Sequence, residues 1–391
     1  DKIKDATYSC YDGACGTGGM LTVAQDRLME LAEKAGKKVS IHLFGQEINP
    51  ETYAIAKSDL LLQGQGDQAD HIGFGSTLSN DQFPTYQFDF MLSNPPYGKS
   101  WKVDADKLGG KKDIMDSRFV TNFADDPNFS MIPRTSDGQL LFLLNNVAKM
   151  KKTTELGSRI AEVHNGSSLF TGDAGQGESN ARRYMIENDL VEAIIALPEN
   201  MFYNTGIGTF IWILSNNKAE HRKGKIQLID ATSLKSPLRK NLGKKNCEFT
   251  SEIRRQILDL YMAFEENEYS KIFDNNEFGY WKVTVLRPAY NEDGTIQKDK
   301  KGKPVVNKEL TDTEQIPFTY EGGIEAFFEK EVKPFAPDAW IDEKKTKIGY
   351  EISFTKYFYK PIQLRTLEEI TADIRSLEEE TDGLLAEIIG G

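Results

Sequence analysis

Asp12-Gly13-Ala14-Cys15-Gly16-Thr17-Gly18-Gly19 follows a short apolar run, Thr7–Tyr11, and leads into an amphipathic stretch, Gly19–Lys34. Glycines at a strand-to-helix turn let backbone N–H groups approach a ligand at the positive end of the helix. The order Gly16-Thr17-Gly18-Gly19 lacks the full G-x-G-x-x-G of a dinucleotide site. Asp12 ahead of the glycines repels a pyrophosphate and suits a ligand with a cationic or hydroxyl-bearing part. A tight turn holding no ligand is the competing reading.

Outward from this turn, period-2 apolar runs alternate with helical segments, the pattern of a parallel sheet wrapped by helices. Strands are expected at Thr7–Tyr11, Val39–Gln46, His71–Phe74, Phe88–Ser93, Arg159–Val163, Val191–Leu197, Thr209–Leu214 and Lys225–Ile229. Helices are expected at Gly19–Lys34, stopped by Gly36, at Pro50–Leu62, capped by Asn49 and stopped by Gly64, and at Gly138–Met150. The link between Val191–Leu197 and Thr209–Leu214 has no room for a helix, so the far edge of the sheet is expected to turn antiparallel. After about residue 245 the character changes. Thr250 or Ser251 can cap a helix through Glu265, and the polar stretch Asn291–Lys303 reads as a hairpin or mobile insertion.

Glu47 closes the second strand, where a carboxylate can accept hydrogen bonds from both hydroxyls of a ribose. It also fits a helix-entry role before Asn49-Pro50. Ser93-Asn94-Pro95-Pro96-Tyr97 stands at the carboxyl end of the fourth strand, the end at which open α/β sheets bind ligands. Two prolines remove two backbone donors and leave carbonyls free to accept; Asn94 adds a side-chain acceptor and Tyr97 an aromatic face. Two acceptors can hold both N–H bonds of an exocyclic amine while a ring stacks on the attached base.

Composition excludes several classes. The chain has 391 residues, 39% hydrophobic and 28% charged, a globular mixture rather than a disordered one. No apolar run approaches the ~20 residues a bilayer needs, and the four histidines are scattered without metal-ligand spacing, so neither a membrane span nor a metal is expected. Three cysteines, Cys10, Cys15 and Cys247, point to a reducing cytoplasm. The net charge of −12 means that any nucleic acid must be met by a local basic patch. Lys218–Lys245 is such a stripe, or else a solvated face. Lys99–Asp137, directly after Tyr97, reads as a long loop beside a catalytic motif. At the other end, Leu367, Ile370, Ile374, Leu377, Thr381, Leu384 and Ile388 recur at alternating spacings of 3 and 4, giving an amphipathic helix over about 364–389 that needs a partner or packs on its own domain.

The pair DGACGTGG and SNPPYG, with GQEINPETYAIAKSDLLLQG between them, resembles the S-adenosylmethionine-dependent DNA adenine-N6 methyltransferases, specifically the modification (M) subunit of type I restriction-modification systems. FYNTGIGTFIWIL, SPLRKNLGKKNCEFTSEI, PDAWIDEKKTKIGYEISFTKYFY and the acidic terminal helix extend the likeness over essentially the whole chain. The resemblance implies a class I methyltransferase (Rossmann-like) α/β sheet, mostly parallel with an antiparallel edge, over residues 1–245, and a C-terminal helical extension over 246–391. It implies that Asp12, Gly13, Ala14, Gly16, Thr17, Gly18 and Gly19 surround the methionine part of S-adenosylmethionine and that Glu47 holds its ribose. Ser76 stands where relatives carry an acidic or amide residue facing the cofactor's adenine. Asn94, Pro95, Pro96 and Tyr97 would form the site for adenine N6, with Phe202 as a second aromatic against the flipped base and Cys15 only packing.

The implied partners are DNA, a specificity (S) subunit docked through the C-terminal helix, and a restriction (R) subunit. The family also carries an aromatic-Thr-Pro cofactor element and a helical domain upstream of the glycine turn. The sequence starts at Asp1, so the expectation is a fragment that is weakly active or inactive alone. Three other readings stay open: methylation of another planar amide or amine such as a protein glutamine or an RNA base, a non-catalytic scaffold binding S and DNA, and a nicotinamide-dependent oxidoreductase.

Overall fold

Nine segments, most of them apolar, pair into one sheet in the computed structural model, which describes residues 4–203, 205–359 and 366–377. In chain order they are β1 (Ala6–Asp12), β2 (Val39–Glu47), β3 (Ile72–Phe74), β4 (Phe90–Ser93), β7 (Arg159–Asn165), β8 (Val191–Ala196), β9 (Thr209–Ser215), β10 (Lys225–Asp230) and β13 (Ser270–Asp274). Their spatial order is β13-β10-β8-β9-β7-β4-β1-β2-β3. Two further hairpins interrupt the series, β5 (Val120–Phe123) with β6 (Asp126–Ser130), and β11 (Ser236–Leu242) with β12 (Lys245–Glu248).

Seven strands run parallel, and two run against them. Thr209–Ser215 is antiparallel to its sequence neighbour β8, as the short link requires, yet it lies inside the sheet between β7 and β8. The antiparallel edge is made instead by β13 on β10, a strand the sequence reading does not foresee. The sheet therefore extends past residue 245. Val191–Ala196 is buried along its whole length, as expected of a strand covered on both faces. Its one carboxylate, Glu192, is held by Arg159 at 2.8 Å and Arg222 at 3.6 Å.

The helices are α1 (Gly19–Lys34), α2 (Pro50–Leu62), α3 (Gly66–Ala69), α4 (Lys102–Lys107), α5 (Gln139–Ala148), α6 (Ser167–Phe170), α7 (Gly177–Glu187) and α8 (Ser251–Ala263). The α2 cap is the expected one: Asn49 Oδ1 accepts from the N–H groups of Glu51 and Thr52, with Pro50 at the first position. Thr250 caps α8 through Ile253 N–H. Leu21 and Ala24 of α1 pack with Cys10, Ile41 and Leu43 to form the core over β1 and β2.

Beyond the main sheet, β14 (Gly279–Leu286) pairs antiparallel with β15 (Asp312–Pro317), β16 (Trp340–Ile341) and β17 (Lys347–Tyr350). This second sheet is also unforeseen, because its partner strands are short and far apart in sequence. Asn291–Lys303 holds two tight turns, in which Asp293 Oδ1 accepts from Thr295 N–H and Asp299 Oδ1 from Lys303 N–H.

Arg182 of α7 ties α6 and β17 to the main body. Its fully buried guanidinium donates to the carbonyls of Tyr350 (2.6 Å), Ser168 (3.0 Å) and Thr171 (2.8 Å). Arg182→Met leaves three carbonyls without that donor, and the expected loss is about 3–5 kcal/mol. Urea denaturation followed by tryptophan fluorescence checks this; an unchanged midpoint contradicts it.

Contacts divide the chain into residues 1–353 and 354–391. Within the second unit, residues 367–377 are helical and start from a reciprocal cap. Thr366 N–H donates to Glu369 Oε2 at 2.9 Å, and Glu369 N–H donates to Thr366 Oγ1 at 3.2 Å. Leu367, Ile370, Ile374 and Leu377 of the expected stripe are exposed; Thr381, Leu384 and Ile388 lie outside the described residues. No helix of the described residues is long and apolar enough to cross a membrane.

Candidate functional site

The sheet order places β1 third from one edge, with β2 and β3 to one side and β4 to the other, so the direction of winding switches between β1 and β4. Ligands of such sheets bind at the carboxyl ends beside that switch. Asp12, Glu47, the loop after Phe74 and Asn94 all stand at those ends.

The turn after β1 is built by its own side chains. Asp12 Oδ1 accepts from Ala14 N–H at 2.9 Å and from the Ser93 hydroxyl at 2.8 Å, joining β1 to the end of β4. Glu47 Oε2 accepts from Gly16 N–H at 2.9 Å and Oε1 from Asn49 N–H at 2.7 Å. Each Glu47 oxygen keeps acceptor capacity for a further donor. Gly16 and Gly18 have φ of +57° and +81°, which only glycine adopts without strain. Gly18 enters α1 with no side chain capping the helix. Gly13 is required for closeness instead: a Cβ there would lie 3.0 Å from the Tyr11 hydroxyl and 3.1 Å from Thr77 Cγ2.

A cavity of about 490 Å³ opens at this point, within the size range of small-ligand sites. Gly13, Ala14, Glu47, Ser76, Asn94 and Pro96 line it, bringing together residues from all four motifs. Asn94 is exposed, and among the described residues its amide has no hydrogen-bond partner. Pro95 is buried and Tyr97 half-buried. Burial raises the Tyr97 phenol. Gly16, Thr17, Gly18 and Gly19 form the turn into α1 without lining the cavity. Phe202 is not among the lining residues; it packs against the cluster of Ile195, Leu197, Ile229, Ala231 and Ile257 beneath α8. Cys15 is buried, as expected of a packing residue, and burial pushes its thiol up.

Asp12 is almost fully buried, and burial pushes its carboxyl up to about 7. The hydrogen bonds from Ala14 and Ser93 oppose this rise; the charges of Glu162 and Glu47 add to it. Glu162 is itself buried, accepts from Asn146 Nδ2 at 2.6 Å and lies 2.8 Å from His164 Nε2; burial raises its carboxyl.

Other parts of the site are missed by the sequence reading. Gln46, fully buried, donates to the carbonyls of Gly75 (3.1 Å) and Asn80 (2.8 Å) and accepts from Gln82 N–H (3.1 Å), fixing the loop after β3. The one hint in the sequence is a polar residue at the end of the strand run Ile41–Gly45, which does not by itself reveal its partners. The segment Lys99–Asp137 is structured, with helix α4 and the β5–β6 hairpin. Trp101 lines the cavity and is pinned by its indole N–H to the Arg134 carbonyl at 2.9 Å; Asp104 accepts from the Ser79 hydroxyl at 2.6 Å.

Arg118 of the same segment donates to the carbonyls of Thr77 and Leu78, both at 2.8 Å, and to Asn145 Oδ1 at 2.9 Å. It is aimed by a two-pronged pair with Asp116. Arg118 thus holds two cavity-lining residues through their backbone. Removing it frees both carbonyls, and Arg118→Ala is expected to weaken the cavity's ligand about tenfold, equivalent to about 1.4 kcal/mol. Calorimetric titration with S-adenosylmethionine, the cofactor that the sequence resemblance implies, reads this directly; unchanged affinity would deny Arg118 a positioning role.

The family model described as N-6 DNA Methylase matches residues 3–284. The chain belongs to that family. It is 29% identical over 287 residues to the type I restriction enzyme MjaIX methylase subunit of Methanocaldococcus jannaschii, covering 71% of this chain and 45% of that subunit. The MjaVII methylase subunit of the same organism is 30% identical over 267 residues, covering 68% and 42%. The chain therefore spans less than half the length of these relatives. Among solved structures, the type I restriction-modification methyltransferase subunit of Streptococcus thermophilus shares the fold. Its TM-score is 0.54 at 24% identity, over 69% of this chain and 51% of that one. This member of the family thus carries a mostly parallel α/β sheet with the segment Asn94–Tyr97 at the end of β4.

Proposed function

We propose that this member of the N-6 DNA methylase family transfers a methyl group from S-adenosylmethionine to N6 of an adenine flipped out of DNA, as the M subunit of a type I restriction-modification complex. The observation that carries the reading is a shared cavity: Asn94 and Pro96 of the amine-acceptor motif line the same space as Gly13, Ala14 and Glu47. An acceptor set for a planar amine is thus adjacent to a turn suited to a cationic nucleoside.

S-adenosylmethionine fits these residues. Asp12 does not line the cavity but is buried directly behind Gly13 and Ala14, from where its ionised carboxylate favours a positively charged methionine portion; the remaining lone pairs of Glu47 suit ribose hydroxyls, and Ser76 borders the base. When bound, it supplies an electrophilic methyl group on a sulfonium. The Asn94 side-chain oxygen and the Pro95 carbonyl accept the two N–H bonds of the target amine, holding its nitrogen toward the cavity. Those acceptors stabilise positive charge as the nitrogen lone pair leaves conjugation with the ring, so no strong base is needed. Tyr97 offers the face for stacking. Phe202, seated in the cluster under α8, is not given a base contact. The exposed stripe on residues 367–377 supports docking of the terminal helix on the S subunit.

Mass spectrometry of nucleosides tests the reading, using duplex DNA treated with the full-length chain, its genomically adjacent S partner and S-adenosylmethionine. N6-methyladenine is expected. Methylation of cytosine, or of protein glutamine with DNA unmodified, would overturn it.

A further inference from the structure

The nine cations of Lys218–Lys245 separate once folded into three paired ones, Lys225 and five others. Lys218 is buried and paired with Asp189 at 2.6 Å, Arg222 with Glu192 at 3.6 Å and Lys223 with Glu220 at 2.7 Å. Their charges are used inside the protein. Lys225 begins β10 and so stands at the amino edge of the parallel strands, opposite the cavity. The remaining five, Lys235, Arg239, Lys240, Lys244 and Lys245, lie on or beside the β11–β12 hairpin, and among the described residues none makes an ion pair. All but Lys245 are exposed, and Glu248 is the hairpin's single acid.

The hairpin is anchored. The Cys247 thiol donates to the Glu199 carbonyl at 3.4 Å, Asn246 N–H to Asn200 O at 3.1 Å and Lys244 N–H to Tyr203 O at 3.1 Å. Lys245 Nζ sits 5.1 Å from the centre of the exposed Tyr203 ring. Residues 199–203 follow the carboxyl end of β8, and β11 follows the carboxyl end of β10. The hairpin therefore stands on the same edge of the sheet as Asn94, four strands along the order β10-β8-β9-β7-β4. At ~4.8 Å per strand that is about 19 Å, the run of roughly five or six phosphates along one DNA strand.

We propose that the β11–β12 hairpin is a backbone grip for duplex DNA, holding phosphates about five or six nucleotides from the base that enters the site. The inference rests on the DNA-methylating reading above and adds where the duplex is held. Cations without ion-pair partners on an anchored hairpin release phosphate counterions when they bind, whereas the net charge of −12 repels DNA elsewhere. The contact is indifferent to sequence, since phosphates carry no base information.

The test compares the wild-type complex of the full chain and its S partner with a variant carrying Arg239→Gln, Lys240→Gln and Lys244→Gln. Fluorescence anisotropy with a labelled 30-base-pair duplex follows affinity between ~50 and ~200 mM salt. The slope of log affinity against log salt is expected to fall by about 2.7, at ~0.9 per phosphate contact, with at least a tenfold loss of affinity near 0.1 M salt. S-adenosylmethionine binding stays as in wild type. Should the triple variant not fold, Lys240→Gln alone is expected to lower the slope by about one. Replacing the phosphates five and six nucleotides from the target with neutral methylphosphonates weakens wild type and leaves the triple variant unaffected. Unchanged slope and affinity in the folded variant, or neutral phosphates that matter equally to both, overturn the grip while leaving the methylation reading standing. A wild-type complex with no affinity for duplex DNA overturns both.

Discussion

Asn94→Ala is expected to lower N6-methyladenine formation by about a hundred- to a thousandfold while S-adenosylmethionine binds as before, the range set by loss of one oriented group that stabilises charge in a transition state. The side chain lines the cavity at the end of β4 and has no hydrogen-bond partner among the described residues, so its removal opens no core and breaks no internal bond. Its backbone position is secured independently, by Ser93 on Asp12 and by Pro95 in the interior. The loss therefore belongs to the chemical step, and kcat falls with little change in KM for the cofactor. Quantitation of N6-methyladenine in DNA from cells co-expressing the full-length chain and its S partner, wild type against variant, reads the effect. Asn94→Asp separates the two properties of the amide: it keeps an acceptor oxygen but adds charge and loses the amide's N–H donors. Full modification by Asn94→Ala would remove Asn94 from the mechanism.

How much of this was legible beforehand depended on where each residue's partner lay in the chain. Strands of the first half could be read because each is buried on the sheet by its own residues, so the pattern is local; all eight expected strands pair in the sheet. Asp12, Glu47 and Asn94 could be read because each closes a strand, and strand ends in a parallel sheet share one edge. Gln46 and Arg118 could not. Their roles consist of bonds to carbonyls 29 to 41 positions away, and a carbonyl leaves no mark on a sequence. The insert after Tyr97 misled for a related reason. Trp101, Ile114, Phe119 and Phe129 are buried but thinly spaced among charged residues, so no periodicity announces α4 or the β5–β6 hairpin. Edge strand β13 and the β14–β17 sheet are missed because β13, β16 and β17 are five residues or fewer and β15 is polar, so their pairing with β10 and β14 is decided by tertiary contact.

S-adenosylmethionine affinity is expected to fall about tenfold for each pH unit below 7. Asp12 is the group responsible: burial lifts its carboxyl to about 7, and a cationic ligand favours the ionised form, so binding at lower pH must expel one proton. Between pH 5.5 and 8 the total change is about thirtyfold, and it disappears in Asp12→Asn, which keeps the acceptor for Ala14 N–H and the Ser93 hydroxyl but carries no charge. The same raised value fixes the sign for stability. The folded protein holds this proton more tightly than the unfolded chain, so the contribution is fully present below about pH 4 and is lost as pH rises through 7. Without ligand, Asp12→Asn is then expected to melt above wild type at pH 8, where wild type buries a charge, and to lose that advantage at pH 4. Titration calorimetry across the pH range and paired melting curves check the two halves separately. Flat affinity in wild type would leave Asp12 as a structural clasp between β1 and β4. Equal melting at pH 8 would mean that the folded chain solvates the carboxylate, and the charge that attracts the ligand would then cost the empty protein nothing.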